Sequence, residues 1–197
     1  VPAPDVNTNG KIMQWIVEEY SAVVGKHSPA VVTGKPIAHG GSEGRTEATG
    51  LGGSFALLEY LHLTGKDPRG MTVAIQGFGN VGQYVARYLQ EAGMKIVAVS
   101  DSKAGIYIPS GITDLNAVLT CKEATGLVAG CYCVGSVCNL DNKTKLNGHD
   151  ISSEKLLTLP VDILIPAALE NVLTKANANE IKAKIVLEMA NAPTTLQ

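Results

Sequence analysis

The chain has 197 residues, 45% of them hydrophobic and 17% charged, with a net charge of −2. That is enough chain for one well-buried domain, and so small a charge gives no reason to expect binding to nucleic acid or to an anionic membrane surface. No apolar run approaches the ~18 residues that span a bilayer, and the absence of a basic-then-apolar opening predicts no signal peptide.

Val1 to Gly10 contains two prolines, which keep it extended and remove backbone donors. Lys11 to Val24 follows with Ile12, Trp15, Ile16 and Val23 at helical spacing, and Asn9 is placed to cap that helix. Asp5 therefore sits on a stiff loop just before a helix, where local sequence alone reads as a turn or cap aspartate. Gly25 to Arg45 is loop-like, with Ala30 to Thr33 a short extended piece, and Lys35, His39, Ser42 and Arg45 supply its polar groups. Thr46 to Thr64 predicts a second helix. Gly50, Gly52 and Gly53 are costly there, at about 1 kcal/mol each relative to Ala, and call for a close approach by a neighbouring backbone or ligand.

Thr72 to Asp101 carries the densest pattern. A strand from Thr72 to Gln76 runs into Gly77-Phe78-Gly79-Asn80-Val81-Gly82, and a helix follows with Val85, Tyr88 and Leu89 on its apolar face. Gly93 closes the helix, Lys95 to Ser100 forms a second strand, and Asp101 stands at its end. Gly77 permits the tight turn, Gly79 lets backbone approach a pyrophosphate, and Gly82 brings helix and sheet together. The helix N-terminus offers N–H groups and partial positive charge to phosphates. Asp101 lies about 20 residues beyond the glycines, where a carboxylate accepts hydrogen bonds from a ribose diol. The pattern predicts a dinucleotide site.

Further on, Ile106 to Ile108 predicts a short strand, and Thr113 a cap for a helix over Asp114 to Lys122. Residues 121–146 read as an irregular surface excursion holding all four cysteines, at 121, 131, 133 and 138. Their spacing lacks the paired C-x-x-C of a zinc site, so unpaired thiols in a reducing cytoplasm are expected and no metal. Ser152 and Ser153 introduce a short helix, Val161 to Ile165 a buried strand, Asn171 to Ala176 a helix and Ala183 to Glu188 a last strand. Alternating strands and helices predict an α/β, Rossmann-like, doubly wound and mostly parallel sheet with helices on both faces. Ala167, Ala168 and Asn191 then fall on loops at its ligand edge.

Four blocks resemble the Glu/Leu/Phe/Val dehydrogenase family, and most closely its glutamate dehydrogenases. They are Val1 to Asn9; Val32 to Pro36 with Gly40 to Gly50; Gln76 to Gly82 with Val99 to Lys103; and Asp162 to Glu170 with Glu188 to Thr194. The resemblance implies that Asp5 is a catalytic aspartate exchanging protons with the substrate amine, and that Thr33 lines the amino-acid pocket. It places Arg45, Thr49 and Asn80 near the nicotinamide, and assigns Gly77, Phe78, Gly79, Val81, Gly82, Ser100, Asp101, Ala167, Ala168 and Asn191 to cofactor binding. The implied reaction is reversible oxidative deamination of L-glutamate to 2-oxoglutarate and ammonium with NAD or NADP. Asp101 repels a 2′-phosphate and so favours NAD, while Lys103 offsets that charge and keeps NADP open. The resemblance also implies a cytoplasmic enzyme whose full-length members form homo-hexamers.

The same resemblance implies a longer protein. Residues 1–197 would be its dinucleotide-binding domain, with 1–70 as leading helices and loops and 71–197 as the Rossmann core. The substrate domain, with its catalytic lysine, is absent from this sequence, and the isolated chain is expected to be inactive. Met189 stands where the family has glycine, predicting an altered or crowded loop. The competing expectation is a stand-alone NAD(P)H-binding or regulatory module without catalysis.

Overall fold

The computed structural model describes residues 1–5 and 7–196. Val6, in the first motif block, and Gln197 lie outside the described residues. The chain divides into two compact units, Val1–Ala48 and Thr49–Gln197.

The first unit is built around α1, Gly10–Val24. The Asn9 side chain accepts hydrogen bonds from the Lys11 and Ile12 amides, and Gly25 closes the helix at φ 64°. Met13 and Val17 are buried with Val32, whereas Trp15 stays 54% exposed. The extended piece expected over Ala30–Thr33 is instead a 3-10 turn at Pro29–Val31, with only Val32 extended. Proline at the first position fixes the φ that such a turn needs.

The second unit holds α2, Ala48–Leu63, from its second residue on, then β1, Thr72–Gln76, and α3, Asn80–Glu91. It continues through β2, Lys95–Ser100, β3, Gly105–Tyr107, and α4, Leu115–Thr125. The expected cap at Thr113 moves one residue on: Asp114 is extended and its carboxylate accepts the Ala117 amide. The excursion is more ordered than its weak periodicity suggests. It contains a hairpin of β4, Cys133–Val134, and β5, Val137–Cys138, and a short α5, Asp141–Lys145. Then come β6, His149–Ile151, α6, Ser153–Leu157, β7, Ile163–Pro166, and β8, Ile185–Val186.

Among the described residues, six strands form one sheet in the order β6-β3-β2-β1-β7-β8. β1 pairs in parallel with β2 and β7, and β7 with β8, while β3 pairs antiparallel with β2 and β6. The mostly parallel α/β sheet is thus as predicted. Strand side chains alternate between its faces. Val73, Ile75, Ile163 and Ile165 pack with Leu57 and Leu61 of α2, Val85 and Leu89 of α3, and Val118 of α4. Ala74, Val97, Ala98 and Leu164 pack with Leu156 and Leu157 of α6 on the other face.

Two expectations fail near the end. Residues 171–176 form no helix. Asn171 takes a left-handed φ of 56°, and the Asn171 and Leu173 amides donate instead to the carbonyls of Ala192 and Pro193. The last strand is regular only over Ile185–Val186, although the Leu187 and Met189 amides still bond the Leu164 and Pro166 carbonyls. The free-thiol expectation is also overturned: Cys121 is bonded to Cys131 and Cys133 to Cys138. The hairpin register places Cys133 directly opposite Cys138, and the fold of the loop after α4 brings Cys131 back to Cys121.

Candidate functional site

The strand order reverses beside β1: the chain leaves β1 for β2 on one side and returns to β7 on the other. Ligands of open α/β sheets bind outside the carboxyl ends of the strands at such a switch. Gly77 lies there at φ 97°, a region that favours glycine, and its amide and that of Phe78 both donate to the Ser100 carbonyl at 2.9 and 2.7 Å. A Cβ on Gly77 would stand 2.7 Å from the Ala167 carbonyl oxygen and 2.8 Å from the Ala168 Cβ. The glycine turn after β1 and the small residues after β7 therefore touch.

Gly79 caps α3 without a side-chain bond, and a Cβ added there meets no described atom within 4 Å. Gly82 is the reverse case, because its Cβ would run into the Gly77 carbonyl. The turn is thus tight where it packs on itself and open where a ligand would lie. An open glycine at the start of a three-turn helix fits a pyrophosphate, which the helix N-terminus would hold with backbone N–H groups. Asn80 and Val81 form the first turn of α3. Phe78 is buried in the core, so it faces the turn with its backbone.

Asp101 follows β2. One carboxylate oxygen accepts the Lys103 and Ala104 amides at 2.8 and 3.1 Å, and the other accepts the Val128 amide at 2.6 Å. These bonds fix the carboxylate at the sheet edge with acceptor capacity left over. The Ser100 hydroxyl pairs with that of Ser153 at 3.2 Å, and its carbonyl holds the glycine turn. Two contributors escaped the sequence reading. Lys122 of α4 donates its ammonium to the Phe78 carbonyl at 2.5 Å, and Val128 acts through its amide. No spacing marks either one; a lysine in the last turn of a helix was the sole available hint.

Asn191 is exposed on the loop after β8, next to Ala192, which takes the left-handed φ of 46°. Met189, in the same loop, lies where a Cβ on Gly53 of α2 would be. Gly53 is thus the notch that receives the methionine, and Gly50 fits closely against Tyr84 and Val85 of α3. Nothing in the structure explains Gly52. Thr49 is exposed in the first turn of α2.

In the first unit, Asp5 opens a turn, with its amide donating to the Thr8 hydroxyl at 2.7 Å and its carbonyl accepting the Thr8 amide at 3.0 Å. The Thr33 amide donates to the Pro2 carbonyl at 2.8 Å, and Gly34 leaves room for the Pro4 ring. The opening segment therefore runs beside Thr33, and the unit gathers Asp5 and Thr33 into one loop cluster. Arg45 is exposed in the turn before α2. Among the described residues no group of three or more His, Cys, Asp or Glu is placed to hold a metal ion, and no helix is long and apolar enough to cross a membrane.

Residues 40–197 match the family model described as Glutamate/Leucine/Phenylalanine/Valine dehydrogenase. An NADP-specific glutamate dehydrogenase of Synechocystis is 47% identical over 98% of this chain and 44% of its own length. The cryptic catabolic NAD-specific glutamate dehydrogenase GudB of Bacillus subtilis is 43% identical over 100% of this chain and 42% of its own. The chain thus spans less than half the length of these curated relatives. The crystal structure of a hetero-hexameric glutamate dehydrogenase from Thermus thermophilus superposes with a TM-score of 0.83 at 38% identity, covering 98% of this chain and 42% of that one.

Proposed function

The chain belongs to the Glutamate/Leucine/Phenylalanine/Valine dehydrogenase family, and from that premise we propose that it is the dinucleotide-binding part of a longer glutamate dehydrogenase. The observation that carries this reading is the switch point itself, where an open Gly79 stands over a turn closed by Gly77, Gly82 and Ala167. In this reading residues 71–197 form the Rossmann core and 1–70 the leading helices and loops. The backbone from Gly77 to Gly82, with Phe78 and Val81, holds the pyrophosphate, Asn80 stands toward the nicotinamide, and the Asp101 carboxylate accepts from a ribose diol. Ser100 fixes the turn, while Ala167, Ala168 and Asn191 line the cofactor edge. Arg45 and Thr49 serve the nicotinamide end.

NAD or NADP supplies a hydride acceptor for the substrate α-carbon. Thr33 positions the amino acid, and Asp5 exchanges a proton with its amine as glutamate is converted reversibly to 2-oxoglutarate and ammonium. The relatives include one NAD-specific and one NADP-specific enzyme at similar identity. Asp101 favours NAD by repelling a 2′-phosphate, and the Lys103 ammonium, 3.4 Å from the Gly126 carbonyl, is partly engaged elsewhere. The full protein is proposed to be an oligomer in the cytoplasm. In that reducing compartment its disulfides are transient rather than permanent. A sensor without catalysis is not favoured, because it has no use for Asp5 and Thr33.

Calorimetry of NADH and NADPH against the 197-residue chain tests the reading. Saturable binding of one of them is expected, with loss in Gly79→Val, a substitution that fills only open space. A folded chain that binds neither nucleotide sinks the proposal.

A further inference from the structure

The cysteine-rich excursion is the part of the chain that the proposed reaction leaves unused, yet two bonds tie it to the nucleotide edge. Lys122, which holds the Phe78 carbonyl, directly follows Cys121. Val128, which holds Asp101, lies three residues before Cys131. The Cys121–Cys131 disulfide closes the loop between these anchors. That loop contains Gly126, the left-handed C-cap of α4, and Gly130, which is left-handed as well.

We propose that Cys121–Cys131 is a redox switch on the dinucleotide site, an inference that rests on the nucleotide reading above. In the disulfide form the closed loop presents the Val128 amide to Asp101 and steadies the last turn of α4, so that Lys122 fixes the glycine turn. Reduction frees the loop, and both groups lose their preorganised positions. Nucleotide binding then weakens because ordering must be supplied during association.

Access supports one route of reduction. Cys131 is fully buried, whereas Cys121 lines a surface groove with Asp114, Thr120 and Ser136. A dithiol reductant attacks as thiolate on the Cys121 sulfur, and Cys131 leaves as thiolate and takes up a proton. The second thiol of the reductant then displaces Cys121. The reductant ends as a disulfide, its two protons are on the two cysteines, and two electrons have passed to the protein. Cys138 lines the same groove, but Cys133–Cys138 staples only the β4–β5 hairpin and neither nucleotide contact lies within its loop.

The test is nucleotide calorimetry on the oxidised chain, on the chain reduced with dithiothreitol, and on the Cys121→Ala/Cys131→Ala variant, alongside hydrogen exchange at the Val128 amide. Reduction is expected to weaken binding about tenfold and to strip protection from Val128, and reoxidation to restore both. The double variant should behave as the reduced chain and ignore dithiothreitol, while Cys133→Ala/Cys138→Ala keeps the response. Equal affinity in both redox forms, or unchanged Val128 protection on reduction, overturns the switch and leaves the nucleotide site standing. A folded oxidised chain that binds no nucleotide overturns the nucleotide reading and the switch with it.

Discussion

Gly79 and Gly82 stand three positions apart and answer to different constraints. At Gly79 a side chain would occupy space that the protein leaves open, so the fold sets no steric constraint there and the proposed nucleotide would. At Gly82 a side chain would strike the Gly77 carbonyl, so the constraint comes from the fold. Gly82→Ala should therefore destabilise the chain by about 2 kcal/mol, read as a lower urea midpoint; an unchanged midpoint would show that the turn can yield. Ala192 presents the opposite case. It holds a φ of 46°, where a Cβ is strained. Its carbonyl is held by the Asn171 amide at 3.0 Å, which helps to keep it there. Replacing Ala192 with glycine should raise stability by about 0.5–1 kcal/mol, visible in the same denaturation experiment.

At the scale of the element, α4 links the excursion to the site, and its start is set by Asp114. Asp114→Ala removes the bond to the Ala117 amide and should cost about 1 kcal/mol, measurable as a lower melting temperature; no change would place the cap's weight elsewhere. Elements whose cause is local were legible in the sequence. The strand from Thr72, the turn through Gly82 and the helix closed by Gly93 follow from periodicity and glycine placement. Residues 171–176 were misread because the Asn171 and Leu173 amides are taken by Ala192 and Pro193, some 20 residues away in sequence, partners that no helical pattern announces. The strands of the hairpin have two residues each, too few to show a period. The cysteine pairs depend on that hairpin and on the return of the loop after α4, so spacing alone misassigned them. Lys122 and Val128 stayed hidden for a related reason. Each contact with the site uses a backbone atom, on one side or the other, and backbone atoms are the same in every sequence.

The six-stranded sheet is fastened at the edge opposite the candidate site. The Asp162 carboxylate accepts the Thr72 amide and hydroxyl, each at 2.9 Å, and the Lys184 ammonium at 2.8 Å, so that one side chain joins the starts of β1, β7 and β8. Lys184, followed by the Thr72 amide, holds the Asp162 carboxyl below its ordinary range. A depressed folded-state pKa contributes stability above the unfolded value of about 3.9, and that contribution is lost as pH falls through the folded value. Asp162→Ala should therefore lower stability at neutral pH by about 2 kcal/mol and flatten the acid side of the stability profile. Lys184 is largely exposed, so Lys184→Ala should cost less than about 1 kcal/mol. Equal losses in the two variants would show that the ion pair, rather than the bonds to Thr72, is what matters.

The pairing of β1 with β7 also sets an order in time. Thr72 and Asp162, which meet beside that pairing, are 90 positions apart in the chain. The glycine turn can form early with β2, but the Ala167 side of the cleft cannot arrive until the intervening chain has been threaded through β3, the excursion and β6. Closing so long a loop is entropically slow. During refolding, the Ala167 amide, which donates to Gln76, should gain exchange protection after the Lys95 amide, which donates to nearby Met71. Pulse labelling that found Ala167 protected first would reverse this order. A nascent chain thus holds half of the proposed nucleotide cleft for as long as it takes to make the rest, and a bound nucleotide would reward only the finished one.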